Sequence, residues 1–410
     1  MELFKNTNYD FLSKKWLFIG LSLALTAAGL VSIAAKGGLK YGIDFRGGVL
    51  MQVQFASNPP LDKIRNAMSQ KIKGEVSVQN FTGANAKNQV EIGTEMLEEG
   101  QLNRNRQAME DVLRTTFGGQ NAGKPDLNSL DNDQIANQLR EGLARNSVAM
   151  SDQQLNDLVS SLKSYANSQY SGLITDFSQL SGAPGANAGV INTLKQEFSL
   201  APYIVKSTEM VGPKVGSELR KKAVLATLYA LAGMLVYIGF RFEWIYGLGA
   251  VIAVFHDTII TLGLFSIFNK DISMTVIAAL LTLVGYSMND TIVIFDRIRE
   301  NLRISRRDSL EGLMNRSINQ TLSRTVMTSG LTFLTSIALL IWGGPVLNGF
   351  SFALVCGIIV GTYSSVFIAS PIVLFWRNYI DSRSKPNGAP AAAATLRPDG
   401  ARKAPTKAAR

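Results

Sequence analysis

The sequence predicts an α-helical membrane protein with six transmembrane helices plus an exported α+β, ferredoxin-like domain that carries a helical insertion. Three observations lead there. The chain is 46% hydrophobic over 410 residues with a mean hydropathy of +0.12, and its apolar residues are gathered into blocks long enough to cross a bilayer. A long polar stretch, 36–213, separates the first block from the other five. Ionisable residues, Asp290 above all, stand inside the blocks, where each costs on the order of 2.5–3.5 kcal/mol and tends to be kept only when used or paired.

The net charge of +10 is placed by the membrane rather than by a polyanionic ligand. Between Lys36 and Pro213 there are 17 basic and 18 acidic residues, against 8 and 2 from Trp376 to Arg410 and 7 and 4 from Asp296 to Arg324. The basic excess therefore borders apolar blocks, as the positive-inside rule requires. The single cysteine, Cys356, excludes an internal disulfide and a cysteine-based metal cluster.

Residues 1–15 form a cytoplasmic N-terminus ending in Lys14 and Lys15. The first span, 16–35, has about 20 residues and crosses at ~1.5 Å per residue. A cleaved signal peptide is the competing reading, through the small residues of Ser32-Ile33-Ala34, but its apolar core is typically only ~7–15 residues. The exported domain occupies 36–222. Val49, Met51, Val53 and Phe55 alternate with polar positions as a strand with one buried face, and Leu61, Ile64, Met68 and Ile72 share one helix face. Glu75–Phe81 and Asn88–Gly93 read as strands around a Gly/Asn turn, Ile191–Phe198 as a helix and Tyr203–Val211 as a last strand, giving the β-α-β-β-α-β order of a split ferredoxin-like unit. Within it, 95–189 reads as an insertion with helical stripes at Met109/Val112/Leu113, Ile135/Leu139/Leu143 and Leu155/Leu158/Val159/Leu162, the last behind a Ser151–Gln154 capping box. A small helical appendage and a solvated spacer both fit it.

A five-helix bundle, 223–375, follows, with spans at Ala223–Phe240, Tyr246–Phe268, Ile272–Phe295, Val326–Trp342 and Phe350–Phe375 and a basic cytoplasmic loop at 296–325. Six spans put both termini on one side, cytoplasmic by the basic loops, and the large domain outside. Residues 376–410 form a basic, Pro/Ala-rich tail that reads as disordered. Gly357, Gly361 and Ser365 recur at helix-contact spacing in the last span.

The chain has no phosphate-binding loop, no paired zinc-ligand histidines and no nucleophile elbow, so no catalytic residues, metal or cofactor are expected. The glycines at 42, 47 and 48 read as a tight β turn. What remains is a set of ionisable groups at membrane depth: Asp290 with its neighbour Asn289, Arg324 at the cytoplasmic edge of the fifth span, and His256–Asp257 in the third. By depth Asp290 and Arg324 are expected to meet. Burial disfavours a charged carboxylate and a guanidinium favours it, so the pair is a candidate proton relay, and a static pair that orients helices is the alternative. His256 and Asp257 are secondary candidates, equally able to hydrogen-bond neighbouring spans.

At these residues the chain resembles the SecD/SecF family of protein-export membrane subunits, within the superfamily of proton-driven resistance-nodulation-division exporters. The resemblance rests on Tyr41-Gly-Ile-Asp-Phe-Arg-Gly-Gly48, Val211-Gly-Pro-Lys-Val-Gly216, Gly239-Phe-Arg-Phe-Glu-Trp244, His256-Asp257, Gly285-Tyr-Ser-Met-Asn-Asp-Thr291, Phe295-Asp-Arg-Ile-Arg-Glu-Asn301, Asn319-Gln-Thr-Leu-Ser-Arg-Thr325 and Gly343-Gly-Pro-Val346, in order along the chain. It implies a multi-pass subunit of the bacterial inner membrane that works with a SecD-like six-span partner and the SecYEG channel. There it would use the proton-motive force to draw preproteins out. It maps the family's proton-passage positions to Asp290 and Arg324, and gives Asp44, Gly47, Gly48, Gly212 and Pro213 a structural part. A proton crossing ~100 mV releases about 2.3 kcal/mol, enough to bias a slow rearrangement rather than to haul quickly. A half-size exporter of lipid or drug, and a non-conducting assembly subunit, are the other functions that fit; the long insertion departs from the compact exported domain of the family.

Overall fold

The computed structural model describes the chain except for residues 1–6, 73, 81–87, 96–98, 119–122, 147–149, 242, 305–308 and 385–410. The expected Gly/Asn turn, the end of the second strand at Phe81 and most of the basic tail lie outside the described residues. Helix α1 (Lys15–Ala35) leads through a one-turn helix, α2 (Ile43–Arg46), into strand β1 (Gly48–Phe55). Helix α3 (Leu61–Lys71), β2 (Val76–Asn80), β3 (Gln89–Glu95) and α4 (Leu102–Phe117) follow, then α5 (Asn132–Arg145), α6 (Asp152–Tyr170), α7 (Ala188–Glu197) and β4 (Tyr203–Val211). The rest is helical: α8 (Pro213–Arg241), α9 (Trp244–Ile267), α10 (Met274–Ile304), α11 (Leu310–Trp342), α12 (Gly344–Ser364) and α13 (Ser370–Ser384).

The four strands order as β2-β3-β1-β4 with every neighbouring pair antiparallel, the arrangement a split β-α-β-β-α-β unit requires. Val49, Met51, Val53 and Phe55 of β1 all turn to one buried face, with Val90 and Ile92 beside them, which is the alternation the sequence displays. The helices that cover this face are α3 and α4, through Ile64, Met68, Met109, Val112 and Leu113. The second covering helix was expected at Ile191–Phe198; instead α7 turns Val190, Ile191 and Leu194 into a separate core with α5 and α6. An apolar stripe announces that a helix has a buried face but not what buries it. The insertion is consequently shorter than 95–189: α4 belongs to the sheet.

That second core makes the inserted helices a packed subdomain rather than a solvated spacer. Capping boxes start α5 at Asp131 with Gln134 and α6 at Ser151 with Gln154. The subdomain closes where the chain leaves and rejoins the sheet: Leu127 N donates to Ser199 O at 3.0 Å, Ser199 N to Pro125 O at 2.9 Å. Buried Asn128 then bonds both Ile174 and Ala201, satisfying amide groups that burial would otherwise leave costly.

Among the described residues six helices or helix pairs are long and apolar enough to cross a membrane. The regular backbone extends beyond the apolar blocks. Helix α8 begins at Pro213, so Arg220, Lys221 and Lys222 lie on it rather than before it, and the division at 222/223 falls inside a helix. The loop expected at 296–325 is mostly helix, since α10 runs to Ile304 and α11 starts at Leu310. The last span is broken by a π-helical turn, Ser365–Ala369, and continues in α13 to Ser384. Helices α9, α10 and α12 form the interior, whereas α1, α8 and α11 leave most of their surface uncovered by this chain.

Candidate functional site

Helix α10 is the spine of the site. Val276, Ala279, Leu280, Leu283, Ser287, Asp290, Thr291, Ile294 and Ile298 recur at helical spacing along its buried face. Two carboxylates meet this face one turn apart, a rise of ~4.5 Å. The first is Asp257 of α9, which is 1% exposed. Its Oδ2 accepts from Ser287 Oγ of α10 at 2.6 Å and Ser364 Oγ of α12 at 2.8 Å, and its Oδ1 lies 2.9 Å from His256 Nδ1. The His256 ring stands edge-on to Tyr363, whose hydroxyl meets Ser22 of α1 at 3.1 Å. One carboxylate thus organises four helices.

The room for it comes from the small residues of the last span. A Cβ on Gly361 would sit 3.1 Å from Ser287 Cβ and 3.5 Å from Asp257 Oδ2, and one on Gly357 would meet Leu283 at 2.4 Å. The Gly357/Gly361 spacing therefore lets α12 approach α10 closely enough for a shared hydrogen-bonded centre. Ser365, third in that series, instead bonds back to Thr362 O within its own helix.

Asp290 is 3% exposed, and its Oδ2 accepts from Ser329 Oγ of α11 at 2.9 Å. Thr328 is adjacent. The expected ion pair with Arg324 is absent: no N···O contact within 4.0 Å joins them, and Arg324 is exposed, within electrostatic range of Asp290. The physical reason is helical phase. Thr325, Ser329 and Ser336 form the buried seam of α11, so Arg324, five residues before Ser329, projects off that seam. Asn289 likewise points away from the carboxylate, on the exposed face of α10. Asp290 is therefore held by one short hydroxyl between α10 and α11, with Asn289 and Arg324 on surfaces this chain leaves open.

The remaining motif residues join the sheet to the bundle. Asp44 Oδ2 accepts from Met274 N at 2.7 Å, capping the first turn of α10 with a carboxylate, where the helix dipole favours it. Gly42 N donates to Ile272 O and Ile272 N to Lys40 O, which pins the same junction. The 42–48 segment is thus not a plain β turn, because α2 fills it. Gly47 has φ +79°, and a Cβ there would lie 2.7 Å from Pro213 Cα; Gly48 has φ +149°, and its Cβ would fall 2.0 Å from Thr94 O. Only glycine allows the chain entering the sheet to cross so close to Gly212–Pro213, where the chain leaves it.

The open face of the sheet overlies a cavity of about 640 Å³, closed on the other side by the α9–α10 connection and the start of α12. Its walls mix charged and polar side chains with apolar ones such as Leu50, Phe268 and Val346. Among the described residues no group of three His, Cys, Asp or Glu is gathered to hold a metal ion.

Two family models match the chain: "Protein export membrane protein SecD/SecF, C-terminal" over residues 191–379 and "SecD/SecF GG Motif" over residues 31–58. The protein translocase subunit SecF of Koribacter versatilis is 45% identical over 95% of this chain and 98% of its own, and that of Calditerrivibrio nitroreducens 38% identical over 91% and 96%. Among solved structures, SecDF, a translocon-associated membrane protein from Thermus thermophilus, superposes with a TM-score of 0.60 at 30% identity. That match covers 91% of this chain but only 39% of SecDF.

Proposed function

From the premise that this chain belongs to the SecD/SecF family of protein-export membrane proteins, and is a multi-pass protein of the bacterial inner membrane, we propose that it couples proton movement to preprotein export with Asp290 as the titrating group. One observation carries the reading. Asp290 is buried with a single short hydroxyl donor on the same uninterrupted helix whose first amide is capped by Asp44 of the sheet domain. Sixteen residues, ~24 Å of rigid helix, separate the two ends. A change of charge at Asp290 alters how α10 packs on α11, and the Asp44 cap passes that displacement to the sheet.

The sheet-bearing end is the exported end in this reading, because Lys14, Lys15 and the basic 296–325 connection gather at the other, with Arg220, Lys221 and Lys222 of α8 the exception beside a long domain that crosses largely regardless of its charge. A SecD-like partner fits the open faces of α10 and α11 beside Asp290, where Asn289 and Arg324 supply an amide and a guanidinium for it. The SecYEG channel and a preprotein complete the assembly. The half-size lipid or drug exporter requires a predominantly apolar exported cleft, whereas the large cavity under the sheet has Lys40, Asp44, Arg46, Glu91, Lys270 and Asp271 among its walls.

The test uses the chain reconstituted with its partner and the channel in proton-tight vesicles. Asp290→Asn preserves size and hydrogen-bonding capacity, so the complex should assemble while translocation ceases to respond to a proton gradient. Undiminished gradient-dependent translocation in that variant would remove Asp290 from the mechanism and leave the assembly-subunit reading.

A further inference from the structure

The cavity under the sheet contains a carboxylate that the relay does not use. Across the open face of the sheet, register aligns Gln79, Glu91, Gln52 and Ser207 in one polar row. Glu91 is the ionisable member. It is half-buried and lines the cavity, with Lys270 and Asp271 facing it from the α9–α10 connection, Lys40 from the segment before α2, and Glu209 from β4.

Both nearby cations are engaged elsewhere. Lys40 pairs with Asp271 at 2.7 Å, and Lys270 donates to Asn348 at 2.6 Å while lying over the Phe352 ring. Glu91 forms no ion pair within 4.0 Å among the described residues. When ionised it has the Glu209 carboxylate beside it on the sheet and faces the Asp271 carboxylate across a space whose closing requires Glu91 and Asp271 to approach.

We infer that this cavity is a second proton-binding site, at the exported end of the bundle, with Glu91 as its acid, and that binding a proton there lets the sheet close onto the α9–α10 connection. The inference rests on the proposed orientation of the chain, not on Asp290. Burial, then the facing Asp271 carboxylate, pushes Glu91 from 4.5 up to about 7, Lys40 pulling the other way, Glu209 adding to the rise and Lys270 opposing it. Glu209 is itself pushed up by burial and by Asp44. The sign follows from linkage. Glu91 is already raised in the arrangement described here, and bringing the Asp271 carboxylate nearer disfavours its charge further, so closure carries a penalty while Glu91 is ionised, above about 7, and none once it is protonated. Closure is therefore favoured as the exported side acidifies, the direction in which the proton-motive force loads that compartment.

Hydrogen exchange of the full chain in lipid nanodiscs tests this. Corrected for intrinsic exchange rates, protection of residues 268–275 should fall by up to roughly tenfold between pH 6 and pH 8, as Glu91 ionises at about 7. Glu91→Gln should hold the protected level at both pH values. Asp271→Asn, which removes the facing charge and frees Lys40, should move the midpoint to lower pH. Asp290→Asn should leave the step in place, which separates this site from the relay. A step that survives Glu91→Gln, a wild-type chain without a step, or a midpoint unmoved by Asp271→Asn would each overturn the assignment.

Discussion

Asp257 and Asp290 are both buried and meet α10 within one turn of each other, yet they are held in opposite ways. Asp257 is densely bonded: two serine hydroxyls and an imidazole nitrogen converge on it from three helices. Asp290 receives one serine hydroxyl, at the edge of the chain, where α10 and α11 are uncovered. A carboxylate with three partners on it fixes a structure, because any change of charge leaves several of them unmatched. A carboxylate with one close donor, and the Thr328 hydroxyl beside it, can change charge at the expense of fewer bonds. In the proposed reading the difference separates a structural centre from a working one, although sequence alone makes both simply aspartates in spans.

Each half of that contrast can be broken. The largest expected effect is functional: Asp290→Asn should lower gradient-driven translocation about 100-fold or more, the lower end of what positioned proton-transfer groups contribute, while thermal stability of the purified complex barely moves. Next in size is Asp257→Ala, which strands the Ser287 and Ser364 hydroxyls and should destabilise the bundle by about 3–5 kcal/mol, visible as loss of folded protein in denaturant titration. An Asp257→Ala protein that stayed stable but lost translocation would reverse the two roles. Gly361→Ala forces a methyl to 3.1 Å from Ser287. A cost of about 1 kcal/mol or more from overpacking is expected, read as a lowered unfolding midpoint. Asp44→Ala removes the α10 cap at about 1 kcal/mol, and here the account demands a disproportion: translocation should fall several-fold for that small loss of stability, since the coupling runs through the cap. Smallest is Ser329→Ala, which deletes the 2.9 Å donor to Asp290 and should shift the pH dependence of translocation with less than about 1.5 kcal/mol of destabilisation.

Much of this was legible in the sequence, for physical reasons that also explain the gaps. Apolar blocks near 20 residues announce spans without ambiguity, and strand alternation at Val49–Phe55 fixes which face of β1 is buried. Asp290 announces itself because a carboxylate in hydrocarbon is costly. Its actual partner does not: a serine in a span carries no such penalty, so Ser287, Ser329 and Ser364 pass unnoticed, although the Thr325, Ser329, Ser336 seam of α11 holds the signal. Arg324 drew attention by its charge and proved to lie off the seam. The assignment of α7 rather than α4 to the sheet failed because stripe width does not identify a partner. Least legible was Asp44 capping α10, a contact between residues 230 apart in the chain.

The most direct measurement is difference infrared spectroscopy of the reconstituted complex, comparing membranes with and without an applied proton gradient. The account predicts a protonated-carboxyl band that responds to the gradient, vanishes in Asp290→Asn and persists in Asp257→Asn. A gradient-responsive band that survives Asp290→Asn, or one that is lost only with Asp257, would contradict it.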